Sequence, residues 1–388
     1  MFQPKNYFSL LHDQYLSNKE LGEVYLSFFL RSISAAMISV FMPIFLLTIG
    51  FELFDVVIYS ALQYISCFVL FPFSMMIGSK LGIKKIMALG TFVLILFYWM
   101  IGNLTAQDSY VLVALVWGAS IALYYSGFHI EFTIASKGDN EGKQVSMLQV
   151  IARLASVIGP ILGSLIIAFK SFEFLFAFVS VPLALSIVPL FFSKDFKFKS
   201  RISPKNIVKA DDKYKGIAYQ TSGALGLATG LFWPIFIFLV LDDIISLGLI
   251  VSVTSIILMF VISYIGRASD KSPAGTLKFG ILAHSSTWPL KLLLLNPMGL
   301  FFTNFLSAIT NSTISISFQK HIYAKAEKTK DLVNYFIFRE LHLMIGRLII
   351  LFCALAVNDI ILILLFATFI PFGFAPLIRK QNLAPVNK

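Results

Sequence analysis

SKDFKFKSRISPKNIVKADDKYKG, residues 193–216, is the longest polar run in this 388-residue chain, and it falls near the middle. On both sides the sequence is almost continuously apolar. With 58% of residues hydrophobic and 13% charged, there is too little polar surface to clothe a water-soluble globule of this length. Lipid must be part of the solvent. A helix crossing the hydrocarbon needs roughly 20 mostly apolar residues. Such segments fall six before the polar run, at 26–49, 55–77, 84–104, 109–131, 146–169 and 173–193, and six after it, at 217–241, 244–266, 276–295, 297–319, 333–356 and 358–378. The expectation is an all-α membrane protein of twelve transmembrane helices in two pseudo-symmetric six-helix bundles, residues 1–193 and 217–388, joined by a basic cytoplasmic linker over 194–216.

Charge sets the orientation. Lys80, Lys84, Lys85, Lys137, Lys143, the linker, Arg267, Lys271, Lys278 and the run Lys320–Lys330 occupy one set of alternate gaps. Glu52, Asp55, Asp108, Glu173, Asp242, Asp243 and Asp359 occupy the other, with Lys170 as the lone base. The positive-inside rule then places both termini in the cytoplasm, in the cell inner (plasma) membrane. It also accounts for the net charge of +11 without a nucleic-acid partner. Residues 1–20 show no apolar core followed by a small-residue cleavage site, so no removable signal peptide is expected.

The classes of chemistry that this sequence lacks narrow its function. It contains no H-E-x-x-H pair, G-x-S-x-G turn, P-loop or Gly-rich dinucleotide fingerprint, and its histidines are scattered at 12, 129, 284, 321 and 342. Cys67 and Cys353 fall inside apolar spans, where small buried hydrophobes are the simplest reading. No enzyme activity, metal or cofactor is expected.

The halves echo each other. VFMPIFLLTIG, with Pro43-Ile44-Phe45, recurs as LFWPIFIFLVL, with Pro234-Ile235-Phe236, and each leads through a further span to a short basic turn, IGSKLGIKK or IGRASDKSP. A weaker echo pairs Arg153–Gly159 with Glu340–Gly346. At these turns the chain resembles the major facilitator superfamily of secondary transporters, over roughly residues 20–380. Lys80, Gly82 and Lys84 fit that family's pattern between helices two and three, while Ser79 stands where the family has Asp. Arg267, Asp270 and Lys271 form the second-half version, and Gly159-Pro160 with Gly163 is similar to a run frequent in exporters. The resemblance implies that these turns latch helix ends together, and that helices one, four, seven and ten line a central cavity.

Charges inside lipid cost on the order of 2.5–3.5 kcal/mol on insertion scales, so they face a cavity or a partner. His129 and Glu131 lie in the fourth span, Arg153 in the fifth, His284 and Lys291 in the ninth, and Arg339, Glu340, His342 and Arg347 in the eleventh. Arg347 sits past the midplane and fits either an anion-binding site or a structural ion pair. Lys291, nearer the opposite surface, is expected to snorkel. His129, Arg153 and Glu340 are candidates for coupling or for contacts between the bundles, with protons as one coupling partner and ion-free facilitation as the other reading.

Trp117, Tyr124 and Glu131 recur every seven residues in the fourth span. Asn304, Ser307, Asn311 and Ser315 form a stripe in the tenth, and Trp233 follows Thr229 in the seventh. These stripes fit a solute-lined cavity, with the aromatics as stacking surfaces, or helix-packing contacts. The function expected is transport of a small organic solute, anionic by the excess of intramembrane bases, by alternating access in a monomer, with proton-coupled efflux as one form. The alternative is a transporter-like receptor, scaffold or lipid scramblase.

Overall fold

The computed structural model describes residues 19–135, 141–192, 195, 197, 202–328 and 331–378. Lys137, most of 193–201 and the side chains of Lys143, Lys320 and residues 323–330 lie outside that description. Among the described residues ten helices are long and apolar enough to cross a bilayer: α1 Leu21–Thr48, α2 Leu53–Leu81, α3 Ile83–Gly102, α4 Val111–Thr133, α5 Val150–Phe169, α6 Phe172–Phe191, α7 Lys213–Leu241, α8 Ile244–Lys271, α11 Leu332–Val357 and α12 Ile360–Ile378. Between them, α9 Pro273–Leu293 and α10 Pro297–Lys328 complete the twelve. Both have the length but carry more polar side chains, His284, Ser285 and Lys291 in one and the Asn304–Ser315 stripe in the other.

Packing repeats with a period of six helices. In the first half α1 packs on α5 and α6, α2 on α4, and α3 on α4 and α6; in the second, α7 packs on α11 and α12, α8 on α10, and α9 on α10 and α12. The two largest contacts that join the halves, α2 with α11 and α5 with α8, exchange under the same shift. A pseudo-two-fold axis between the halves follows from that symmetry.

The echoes in sequence land on equivalent features. Helix α1 is broken between Ile38 and Met42, just before Pro43, and α7 loosens into a π-helical turn over Ala228–Phe232, just before Pro234. Proline lacks an N–H and clashes with the preceding turn, so both helices lose ladder bonds at the same place. The segments Met42–Thr48 and Trp233–Leu241 beyond these breaks touch each other. The weaker echo is a pair of close crossings: a β-carbon on Gly159 of α5 would collide with Ala36 of α1, and one on Gly346 of α11 with Gln220 of α7. Without a hydrophobic force between helices in lipid, such small residues permit the close packing that holds them.

The end opposite the basic turns is closed by tight, capped connections. Asp242 and Asn358 end α7 and α11 in the left-handed region, at φ 48° and 46°. The next residues, Asp243 and Asp359, each accept two backbone N–H bonds at the start of the following helix. Both roles suit short polar side chains. Bonds from Ser246 hold the Asp243 carboxyl below its ordinary range.

Candidate functional site

The two halves meet through a charged seam formed chiefly by α11. Arg339 Nη1 donates to Glu340 Oε1 at 2.6 Å and lies 3.0 Å from His129 Nε2, across on α4. The same His129 nitrogen is 3.4 Å from Glu340 Oε1, and the imidazole stacks on Phe336 at 5.0 Å. One nitrogen therefore faces a donor and an acceptor. With its lone pair free it accepts from Arg339; with a proton it donates to Glu340 and repels Arg339. Toward the basic end, Arg153 on α5 donates to Ser312 on α10 at 3.3 Å. Two turns beyond Glu340, the Arg347 guanidinium lies 4.9 Å from the ring of Tyr64 on α2, with Met344 Sδ 3.3 Å from its Nη1. Sequence reading pointed to His129, Arg153, Glu340 and Arg347, and the fold brings all four to the contact between halves. It did not single out Tyr64, which carries no charge to mark it.

The fourth-span stripe turns elsewhere. Glu131 faces Lys84, whose Nζ lies 3.5 Å from Glu131 Oε1 and 3.4 Å from Glu23 Oε2, with all three side chains at most 5% exposed. Tyr124 is covered by the Arg31 guanidinium at 3.6 Å, and Trp117 stacks on Phe97 at 5.0 Å. Arg31 also donates to Thr91 at 3.2 Å. The expected solute-stacking wall of α4 is thus packed inside the first half. The reason is local: a β-carbon on Gly90 of α3 would strike the Tyr124 backbone, so α3 covers this face of α4. Arg31 and Glu23 were not singled out from the sequence, because their partners on α3 and α4 left no mark in the residues beside them.

In the second half, Trp233 Nε1 donates to Asn304 Oδ1 at 2.9 Å, and Asn304 Nδ2 donates to Thr254 on α8 at 2.9 Å. Asn304 and Asn311 are half-buried. Lys291 does not snorkel. Its side chain is wholly buried, with Nζ 3.7 Å from the ring of Trp288 and 4.3 Å from that of Trp233. Trp288, three residues earlier and so on the same helix face, roofs the ammonium that was expected to reach water.

At the basic turns, Lys80, Arg267, Asp270 and Lys271 are exposed, and Arg267 lies over Tyr264 at 4.6 Å while donating to the Ser263 carbonyl. Gly82 is buried at the start of α3 with φ 121°. Beside it, the Asp195 carboxylate accepts the backbone N–H groups of Lys84 at 2.8 Å and Lys85 at 3.3 Å. An acid absent at Ser79 is supplied to this turn from the far end of α6. Among the described residues no group of His, Cys, Asp and Glu could hold a metal.

Two solved transporters share this architecture. One is a POT family transporter in complex with 5-aminolevulinic acid, at TM-score 0.69 and 11% identity, covering 95% of this chain and 97% of its own. The other is the human organic anion transporter MFSD10 (TETRAN), at TM-score 0.66 and 12% identity, covering 92% and 98%. A sequence search of curated proteins finds no match. The family model of the Major Facilitator Superfamily matches residues 24–336, and with its packing, paired helix breaks and multi-pass span pattern the chain belongs to that superfamily of membrane transporters.

Proposed function

We propose that this protein is a secondary active transporter that moves a small organic solute bearing an acid group by alternating access. The observation that carries this is the pairing of the two broken helices. The interruptions before Pro43 and Pro234 lie at equivalent positions of the two halves, and the segments beyond them touch. Broken helices at matching places in two repeats are where transporters of this kind build a midplane site. Arg347, held at the seam by a ring face and a thioether, is the cation that would meet the acid group through charge-assisted hydrogen bonds. Asn304, Asn311 and Trp233 complete the second-half wall. Trp117, Tyr124 and Glu131 hold the first half together behind it.

His129, Arg339 and Glu340 form the coupling element in this reading: protonation of one imidazole exchanges its partner across the seam. The direction we read is proton-coupled efflux from a monomer, with the basic turns and both termini on the cytoplasmic side of the inner (plasma) membrane. Gly159 and Gly163, which seat α5 against α1, support it. The rival reading, a receptor, scaffold or lipid scramblase, drew its force from Ser79; the Asp195 carboxylate at the same turn weakens that motive. Counterflow of a panel of labelled organic acids and their neutral amides in proteoliposomes tests the proposal. Saturable exchange of an acid, lost in Arg347→Gln, is expected; no exchange of any acid, or equal loss for acids and amides, would overturn it.

A further inference from the structure

The buried ammonium of Lys291 has no hydrogen-bond partner, and among the described residues no carboxylate lies within ion-pair reach of it. Two indole faces return only part of what burying such a charge costs. The groups beside it are in the same condition. Trp288 Nε1, His284 Nε2 and Ser285 Oγ are buried without partners, the other His284 nitrogen being engaged by Thr310 at 2.9 Å. His284 meets Trp288 edge to face at 5.8 Å, so these groups share one region of α9. They form a set rich in donors, poor in acids and walled by flat rings.

One wall of this set can move. Trp233 lies between the π-helical turn Ala228–Phe232 and Pro234, so neither side of it is anchored by a full α-helical ladder. Its indole N–H is bonded to Asn304, which is itself half-buried. Gly226 and Gly230, about two turns and one turn before it, have open space around them. A rotation of Trp233 would open the cage toward Asn304 without moving Lys291 or Trp288.

We propose that Lys291 is the basic anchor of a carboxylate-binding subsite in the second half, gated by Trp233 and suited to a small flat aromatic acid, whose carboxylate would complete an ion pair with it. The carboxylate would take the Lys291 ammonium and the unpartnered N–H of Trp288, while the ring of the acid would lie along the indoles. The subsite is separate from the Arg347 seam and does not depend on it.

Benzoate is the probe, with benzamide as its neutral counterpart, added to the purified full chain while intrinsic tryptophan fluorescence is read. A saturable change with benzoate is expected, at least tenfold weaker for benzamide, lost in Lys291→Met and retained in Arg347→Gln. Loss in Arg347→Gln alone would assign the response to the seam and overturn the subsite. So would a response that persists in Lys291→Met, one that benzamide matches, or none at all. Thermal melting supplies an independent reading: benzoate should raise the melting temperature of the wild type, and raise it less in Trp288→Phe, which keeps Lys291 but loses the indole N–H, whereas an equal rise in Lys291→Met would overturn the subsite. Should Lys291→Met not fold, Lys291→Gln takes its place, with the same expected loss.

Discussion

The Asp195 carboxylate occupies the space that a β-carbon on Gly82 would need. Gly82 has φ 121° and ψ 152°, a region that is essentially restricted to glycine and costs other residues on the order of 1–3 kcal/mol. Gly82→Ala should therefore destabilise the protein by that amount and also push Asp195 off the α3 amides. Asp195→Ala alone should cost about 1 kcal/mol, the usual worth of such a cap. Because the collision disappears once Asp195 is gone, the double variant should lose less than the sum of the two. Thermal melting of the four proteins in one detergent measures the coupling, and strict additivity would show that the two residues do not share the site.

The seam predicts a second non-additive pair. Glu340 is 6% exposed and accepts from Arg339 at 2.6 Å, so Glu340→Gln leaves a guanidinium facing His129 with no carboxylate. Removing one member of a buried pair costs about 3–5 kcal/mol, whereas replacing both with apolar residues is often close to neutral. Arg339→Met with Glu340→Leu should thus fold better than Glu340→Gln. A double variant that melts below the single would count against the pair.

Transport should also follow the charge of His129. Acidification across the window in which this buried imidazole gains its proton turns an acceptor for Arg339 into a donor to Glu340. Counterflow in the wild type should vary across this window and be flat in His129→Gln. An unchanged profile in the variant would remove His129 from the coupling element.

Much of the architecture was legible because membrane crossing imposes length and hydropathy on each span, and the Pro-Ile-Phe and glycine echoes mark where helices break or cross. The candidate site was legible only in part. A charge inside a span announces that a partner exists, and His129, Arg153, Glu340 and Arg347 were found that way. Which partner depends on the rotation of each helix about its axis. That rotation is set by contacts such as Gly90 against Tyr124, between residues 34 positions apart, and the seven-residue stripe of α4 therefore pointed to a cavity when it faces α3. Lys291 misled for a related reason: distance along the helix suggested access to water, but Trp288 closes the path. The signal was present, since Trp and Lys three apart share a face.

Lys80 and Lys84, two of the three lysines at the α2–α3 turn, make the last prediction, because they look alike in sequence and differ in surroundings. Lys80 is exposed, and Lys80→Ala should change stability by no more than about 0.5 kcal/mol. Lys84 is 1% exposed and stands between Glu23 and Glu131 at 3.4 and 3.5 Å. Lys84→Met would leave two buried carboxylates facing each other, so it should cost about 3–5 kcal/mol or more, enough to impair folding. Adding Glu23→Gln and Glu131→Gln removes the uncompensated charge and should restore most of the yield of folded protein, measured by size-exclusion chromatography in detergent. Recovery in the triple variant would assign the Lys84 effect to electrostatics inside the first half. Continued loss would mean instead that the lysine stem, packed among α1, α3 and α4, is what the fold requires.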